Sequence, residues 1–487
     1  MDLLSRITIV SYLAVLAVLS IYGLHRFYIL YLFFRYYKRA EKTVPPPLDP
    51  ANYPTVTVQL PIYNEVYVAA RVIESVSRLD YPKNRLTIQV LDDSTDGTQE
   101  VAKASAEKLR RLGFSVQYLH RDDRKGFKAG ALKAGLDATK DELVAIFDAD
   151  FIVPADFLAR VVPYFQDPKV GMVQSRWGYL NRDYSLLTRV QSILLDGQFV
   201  IEHTARSHSG RFFNFNGTGG IFRRKAIDEA GGWDGETLTE DLDLSYRAQM
   251  AGWKFVYLPD LVCESELPVD VHGLKTQQHR WTKGAVQVGK KLLPRIWRSG
   301  LPLRVKLEAT FHLTANICYI MIVLLSILLP LTLLLGRHLF LDGVRFWEIL
   351  IFVVTTGSVF VFYLVSQREV YPDWKWRLKD IPFILALGIG MCINNAWAVG
   401  EGLSSRQTPF VRTAKYRIES FTDGWKGKIY RSVNTRSIIL EGLFAVYMGL
   451  TLIILLKLGS WQAVPYLLLF LTGYLYVLGL SIAHARR

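Results

Sequence analysis

The chain has 487 residues, 50% hydrophobic and 21% charged, with 58 Lys+Arg against 44 Asp+Glu for a net charge of +14. This composition excludes a disordered polymer and a small disulfide scaffold, and the three cysteines, Cys263, Cys318 and Cys392, imply neither a disulfide framework nor a zinc site. A length above the roughly 250–300 residues at which single cores stop growing implies more than one part, and a mean hydropathy of +0.17 assigns one part to lipid.

In chain order, the first apolar stretch, about Ile7 to Leu24, lacks a basic leader and a small-residue cleavage site, so it reads as a retained anchor. Residues 1–44 form this anchor and a juxtamembrane segment carrying Arg35, Lys38, Arg39 and Lys42, and Pro45, Pro46 and Pro47 make the linker that leaves the membrane. Residues 45–304 are of mixed polarity and alternate β-branched runs with amphipathic stretches, as βαβ units do. Strands are expected at 55–60, 86–91, 115–119 and 143–147, and helices at 66–79, 98–112 and 127–138. The expected fold is an α/β domain with an open, mostly parallel sheet, whose ligands collect at the carboxyl ends of the strands.

Residues 305–487 form a membrane region with apolar segments at Asn316–Leu335, Trp347–Ser366, Ile381–Val399, Ile438–Leu458 and Ala463–Ala483, each near the roughly 20 residues a spanning helix needs. Six crossings with the 45–304 domain in the cytoplasm would leave the basic loop 401–436 outside, against the positive-inside bias. The segment 381–405, which holds Gly388, Gly390, Asn394 and Asn395, is therefore expected to be interfacial or re-entrant, giving five crossings and a cytoplasmic basic loop. The basic clusters adjoin apolar stretches, which favours membrane flanks and lipid contact over nucleic-acid binding.

Polar residues follow the expected strands: Tyr63 and Glu65 after the first, Asp92 and Asp93 after the second, Asp148 and Asp150 after the fourth. An Asp-x-Asp at a strand end presents oxygens to one hard divalent cation, Mg2+ or Mn2+, or simply makes a turn. No glycine-rich phosphate loop is present, so basic residues such as Arg124, Lys125 and Lys128 are the candidates to meet a diphosphate. Glu240 and Asp241 open an amphipathic helix, where acids either cap the helix or stand ready as a general base. Gln277, Arg280 and Trp281 share one helix face, suited to clasping a sugar and a phosphate or to lying at a membrane surface.

Taken in order, Tyr63 with Glu65, Asp92-Asp93, Asp148-x-Asp150, Thr239-Glu240-Asp241, Gln277-x-x-Arg280-Trp281 and the membrane layout resemble the inverting family 2 glycosyltransferases of the cellulose synthase superfamily. The runs Asn216–Gly220 and Lys128–Leu132 are more similar to the cellulose-synthase-like mannan and glucan synthases. The resemblance implies a GT-A-like nucleotide-sugar-binding domain in which Tyr63, Glu65, Asp92 and Asp93 hold the nucleotide. It implies that Asp150, with Asp148, ligates the metal and that Asp241, beside Glu240, is the general base. Gln277, Arg280 and Trp281 would bind diphosphate and acceptor sugar. The segment 410–415 resembles the gating loop of cellulose synthases, but Arg412 stands where Val is usual, so only Thr413 and Lys415 are carried over.

The expected activity is processive transfer of a hexose from UDP-glucose or GDP-mannose to a β-linked polysaccharide. The alternative is transfer of one sugar to a lipid acceptor, such as a diacylglycerol or ceramide. A multi-pass protein of a bacterial plasma membrane with a cytoplasmic catalytic domain is the expected setting.

Overall fold

The structure is a computed structural model that describes residues 3–37, 45–335, 342–404, 411–425, 427–430 and 435–485. The expected basic residues Lys38, Arg39, Lys42, Arg406, Lys426 and Arg431, and Phe410, lie outside the described residues.

Helix α1 (Leu3–Tyr36) extends well beyond the apolar stretch on which it was expected, because no glycine-proline break interrupts it before Arg35. The following domain is built on seven strands: β1 (Val56–Ile62), β2 (Leu86–Asp92), β3 (Ser115–His120), β4 (Leu143–Ile146), β5 (Val170–Tyr179), β6 (Gly220–Arg223) and β7 (Lys254–Ser265). Their order is β3-β2-β1-β4-β6-β5-β7. β1 pairs in parallel with β2 and β4, and β2 with β3, while β6 runs antiparallel to β4 and β5. β5 and β7 also pair in parallel, so the sheet is mostly parallel as expected, with one antiparallel strand the sequence does not announce: β6 has only four residues, Gly220–Arg223, too few to show an alternation.

Helices α2 (Ala69–Val76), α3 (Thr98–Arg111) and α4 (Phe127–Asp137) make the crossovers, close to their expected places. All four residues of β4 are buried, as the unbroken run Leu143-Val-Ala-Ile146 requires of a strand covered on both faces. Because β1, β2 and β4 are parallel, their carboxyl ends open on one edge of the sheet, and the chain leaves that edge through Tyr63, Asp93 and Asp148. Further helices follow: α5 (Phe157–Val161), α6 (Leu186–Asp196), a π-helical turn Gly197–His203, α7 (Thr204–His208), α8 (Arg224–Glu229) and α9 (Glu240–Met250).

Helix α10 (Val271–Arg298) is capped by the Asp270 carboxylate, which accepts from the Gly273 N–H at 2.7 Å. Then come α11 (Leu303–Thr314), α12 (Ile317–Leu335), α13 (Asp342–Val370), α14 (Trp374–Arg377), α15 (Ile381–Leu403), α16 (Thr435–Lys457) and α17 (Val464–Ala485). Among the described residues six helices are long and apolar enough to cross a membrane, the mark of a multi-pass membrane protein.

The segment expected to be interfacial or re-entrant is a continuous helix, α15, with no break in its backbone ladder. Asn394 and Asn395 are buried, and the Asn394 amide donates to the Lys275 carbonyl of α10 at 3.0 Å. At the start of α15 Asp380 pairs with Arg189 of α6 at 2.9 Å, and near its end Glu401 accepts from His279 and Lys283 of α10 at 3.1 Å each. Both ends of α15 therefore meet helices attached to the sheet domain, and the helix runs alongside α10.

Candidate active site

The pocket opens at the carboxyl edge of β1, β2 and β4 and is closed by α9, α10 and the segment after α15. Of the residues expected to serve a site, Tyr63, Glu65, Asp93, Lys128, Asp148, Asp150, Glu240, Asp241, Gln277, Arg280, Trp281, Thr413 and Lys415 all line it. Asp92 does not. Its carboxylate is fully buried, accepts from the Tyr118 hydroxyl at 2.6 Å and from the Ser94 N–H at 2.9 Å, and so shapes the turn that presents Asp93. Arg121 holds Asp93 in turn, its Nε donating to Oδ1 at 2.8 Å. Lys125 is exposed and outside the pocket, whereas Arg124 lies flat on Tyr63, its guanidinium carbon 3.2 Å from the ring centre.

Lys128, near the start of α4, donates to Asp148 Oδ1 at 2.5 Å and to the Gly217 carbonyl at 2.9 Å. Burial alone would lower its pKa, but Asp148, Glu240 and Asp241 around it outweigh burial and raise it. Asp150 pairs with Lys415 at 2.7 Å. The donor set here is two strand-end carboxylates, each answered by a lysine on a flexible stem. Hard oxygen donors in that number fit a divalent cation that keeps water and phosphate oxygens as its other ligands.

Glu240 and Asp241 occupy the first turn of α9, where the helix dipole favours negative charge. The Leu242 N–H donates to Asp241 Oδ1 at 2.8 Å, which leaves Oδ2 toward Gly217. Gly217 has φ +82, and a Cβ there would stand 3.0 Å from Asp241 Oδ2, so both the backbone conformation and the close approach call for glycine. Desolvation, reinforced by the neighbouring Glu240, pushes Asp241 up to about 7; Glu240 is raised as well, first by burial. A carboxylate with this poise takes and returns protons near neutrality. Burial lowers the pKa of Arg280 against the pull of Glu240 and Asp148.

Glu65 is pushed up to about 7 by burial, with Arg412 opposing at 3.0 Å. Arg412, which departs from the expected loop pattern, thus lines the pocket and ties the loop to the chain just past β1. Glu266, just past β7, was missed altogether. Its carboxylate accepts from the Tyr416 and Arg417 N–H groups at 2.8 and 2.9 Å, and its carbonyl accepts from Lys415. No local pattern announces a lone glutamate after a long strand. Asn216, whose only sequence signal is the glycine-rich run that follows it, also lines the pocket.

A mixed sheet whose strand ends gather carboxylates, a basic residue from the following helix and an acid pair on a helix start defines a GT-A-like nucleotide-sugar-binding domain. Residues 54–284 match the family model described as glycosyltransferase like family 2, and this part of the chain is a family 2 glycosyltransferase domain. Among curated proteins the chain is similar to glucomannan 4-beta-mannosyltransferase 7 of Arabidopsis thaliana, with 43% identity over 254 residues, 51% of this chain and 46% of the relative. It is also similar to probable glucomannan 4-beta-mannosyltransferase 7 of Oryza sativa subsp. japonica, with 40% identity over 316 residues, 62% of this chain and 54% of the relative. The chain spans about half the length of the curated relatives it matches. Among solved structures, a mannosyltransferase from Pyrobaculum calidifontis in complex with GDP-Man and Mn2+ matches with a TM-score of 0.52 and 22% identity, over 80% of this chain and 100% of that one. At that identity the likeness speaks for the fold.

Proposed function

We propose that the protein is a membrane-bound inverting hexosyltransferase that moves mannose from GDP-mannose onto the end of a growing β-linked glycan. The observation that carries this reading is the single pocket in which Asp241, Lys128, Asp148, Asp150 and the α10 face of Gln277, Arg280 and Trp281 meet. The choice of GDP-mannose over UDP-glucose rests on the relatives, which are glucomannan mannosyltransferases, and on the structural neighbour solved with GDP-Man.

In this reading Asp241 accepts the proton of an acceptor hydroxyl, which attacks the anomeric carbon of an α-linked donor in line with the departing diphosphate. A β-linked product follows from a single displacement. Lys128, Arg280 and Lys415 stabilise charge growing on the diphosphate, where each well-placed group is worth about 2.7–4 kcal/mol in comparable sites. Tyr63, Glu65 and Asp93 position the nucleotide, and Asp92 acts through the turn that carries Asp93. Asp148 and Asp150 would hold Mg2+ or Mn2+, which supplies Lewis-acid neutralisation of the diphosphate.

The α10 face fills the side of the pocket toward the membrane helices, which supports acceptor binding there and passage of the glycan into the helical bundle. The contacts of both ends of α15 with α6 and α10 support five crossings, with the sheet domain and the loop after α15 on the cytoplasmic side. Cysteine labelling of single introduced sites before and after α15 tests this: reaction from opposite faces of sealed vesicles would make α15 a sixth crossing.

The activity itself is tested with purified protein, Mg2+ or Mn2+, and radiolabelled GDP-mannose or UDP-glucose in separate reactions, followed by separation of lipid-soluble from polymeric label. Polymeric label from GDP-mannose that a β-mannanase digests is the expected result. Label confined to the lipid extract would overturn the polymerase reading in favour of a glycolipid-forming enzyme.

A further inference from the structure

His203 ends the π-helical turn Gly197–His203 and is fully buried. Three aromatic rings, Phe199, Phe213 and Tyr257, surround its imidazole with centroids 5.2, 5.4 and 5.4 Å away, so the ring is caged in one orientation. Burial holds it neutral, with a pKa lowered to about 3. A neutral imidazole has one N–H, and here Nε2 donates it to Asn216 Oδ1 at 2.5 Å. Among the described residues Nδ1 has no hydrogen-bond partner although it is buried. Leaving a buried acceptor unmatched costs stability, so packing alone does not account for a histidine in this cage. Single π-helical turns of this kind are frequent beside functional sites.

The recipient of the bond is placed to use it. Asn216 is half-buried and lines the pocket, and its own N–H is fixed by donation to Gln174 Oε1 at 3.1 Å. With Oδ1 taken by His203, the amide Nδ2 is the arm of this pocket-lining side chain left over for another partner; among the described residues it makes no hydrogen bond. The next residue is Gly217, whose backbone lies against the Asp241 carboxylate and whose carbonyl accepts from Lys128. A hydroxyl that surrenders its proton to Asp241 must lie beside this same stretch of backbone.

We propose that Asn216 binds the acceptor sugar, its Nδ2 donating to a hydroxyl next to the attacking one, and that His203 is the positioning residue that fixes the amide in that orientation. The inference rests on the reading of Asp241 as general base. It assigns recognition of the acceptor to a dyad that is half outside the pocket: one residue touches sugar and the other never does.

Water can replace the acceptor in such a site, so the test is the partition of labelled GDP-mannose between glycan and free mannose. Asn216→Ala is expected to raise the ratio of free mannose to glycan-bound mannose about tenfold, the loss attached to one buried hydrogen bond, because transfer to glycan falls by more than hydrolysis does, while the affinity for GDP stays within a few-fold of wild type. His203→Leu is expected to act in the same direction, and His203→Gln, whose amide nitrogen restores a donor near Nε2, to return the partition toward wild type. Equal slowing of hydrolysis and transfer by Asn216→Ala, an altered GDP affinity, or identical behaviour of the Leu and Gln variants would overturn the assignment. The His203 pair leaves the pocket surface untouched and decides the matter even if Asn216→Ala does not fold. A wild-type protein that turns over neither nucleotide sugar would instead remove the catalytic reading on which the inference stands.

Discussion

Lys415 Nζ stands 2.7 Å from Asp150 Oδ2, so the segment after α15 ends in a salt bridge on the carboxylate that follows β4. The same lysine donates to the Glu266 carbonyl, and the neighbouring Arg412 pairs with Glu65. Cations of one loop thus answer two carboxylates and one main-chain carbonyl from three separate parts of the sheet domain.

If a divalent cation binds Asp150, it competes with Lys415, whereas a bound diphosphate recruits the same lysine. Lys415→Ala is therefore expected to tighten Mn2+ binding in the absence of nucleotide and to weaken donor binding, each by about tenfold as a charge-assisted hydrogen bond is lost. Isothermal titration with Mn2+ alone and then with GDP checks both signs. Weakening of both would mean that the lysine only supports the loop.

Asp241→Asn keeps the shape of the residue and the bond from the Leu242 N–H but removes the base. Turnover should fall by about 10²–10⁴, the usual contribution of a general base, while GDP binding stays within a few-fold of wild type. Equal loss of turnover and binding would argue that Asp241 supports the pocket instead.

The Glu240–Asp241 pair is raised toward neutrality, with Asp241 at about 7. The base works only when ionised, so activity is expected above this value and is lost as pH falls through it. Lys128 lowers the pKa of Asp241, so Lys128→Met should move the acidic limb of kcat/KM to higher pH as well as reduce the plateau. A limb that stays in place under this substitution would separate the titrating group from Asp241. The apparent value belongs to the pair, since the two carboxylates titrate together.

Farther from the pocket, Lys275 of α10 reaches Glu441 of α16 at 2.5 Å and the hydroxyls of Ser437 and Ser481 at 2.9 and 2.8 Å, all of them buried. This ion pair ties the helix that carries Gln277, Arg280 and Trp281 to two membrane helices. Glu441→Gln or Lys275→Ala leaves one buried charge unmatched and should cost about 3–5 kcal/mol, whereas Lys275→Met with Glu441→Leu should recover most of it. Thermal unfolding of the detergent-purified variants reads the difference, and an additive double variant would show that the pair is not coupled.

The elements with a local signature were legible in the chain. Strands β1 to β4 declared themselves through β-branched runs, and the membrane helices through apolar length, because both patterns repeat within a few residues. Asp148, Asp150, Glu240, Asp241, Gln277, Arg280 and Trp281 were found because each stands at a fixed offset from a strand end or on one helix face. What failed was of another kind. Asp92 and Asp93 are adjacent in sequence, yet alternation along the chain sends one into the core against Tyr118 and the other into the pocket. Glu266, Arg412 and Asn216 carry no signal of their own, because their partners lie on elements distant in sequence: the loop backbone, Glu65 and His203.

By itself, then, the sequence determined a nucleotide-sugar-type α/β domain, a set of membrane helices and most of the side chains that meet in the pocket, since hydrophobic period and motif spacing are local quantities. Only the tertiary structure decided which carboxylate faces which lysine, how α15 lies along α10, and that a buried histidine outside the pocket orients an amide within it. Those relations depend on distances between segments that the chain brings together only when the sheet, the interface helices and the loop after α15 have packed.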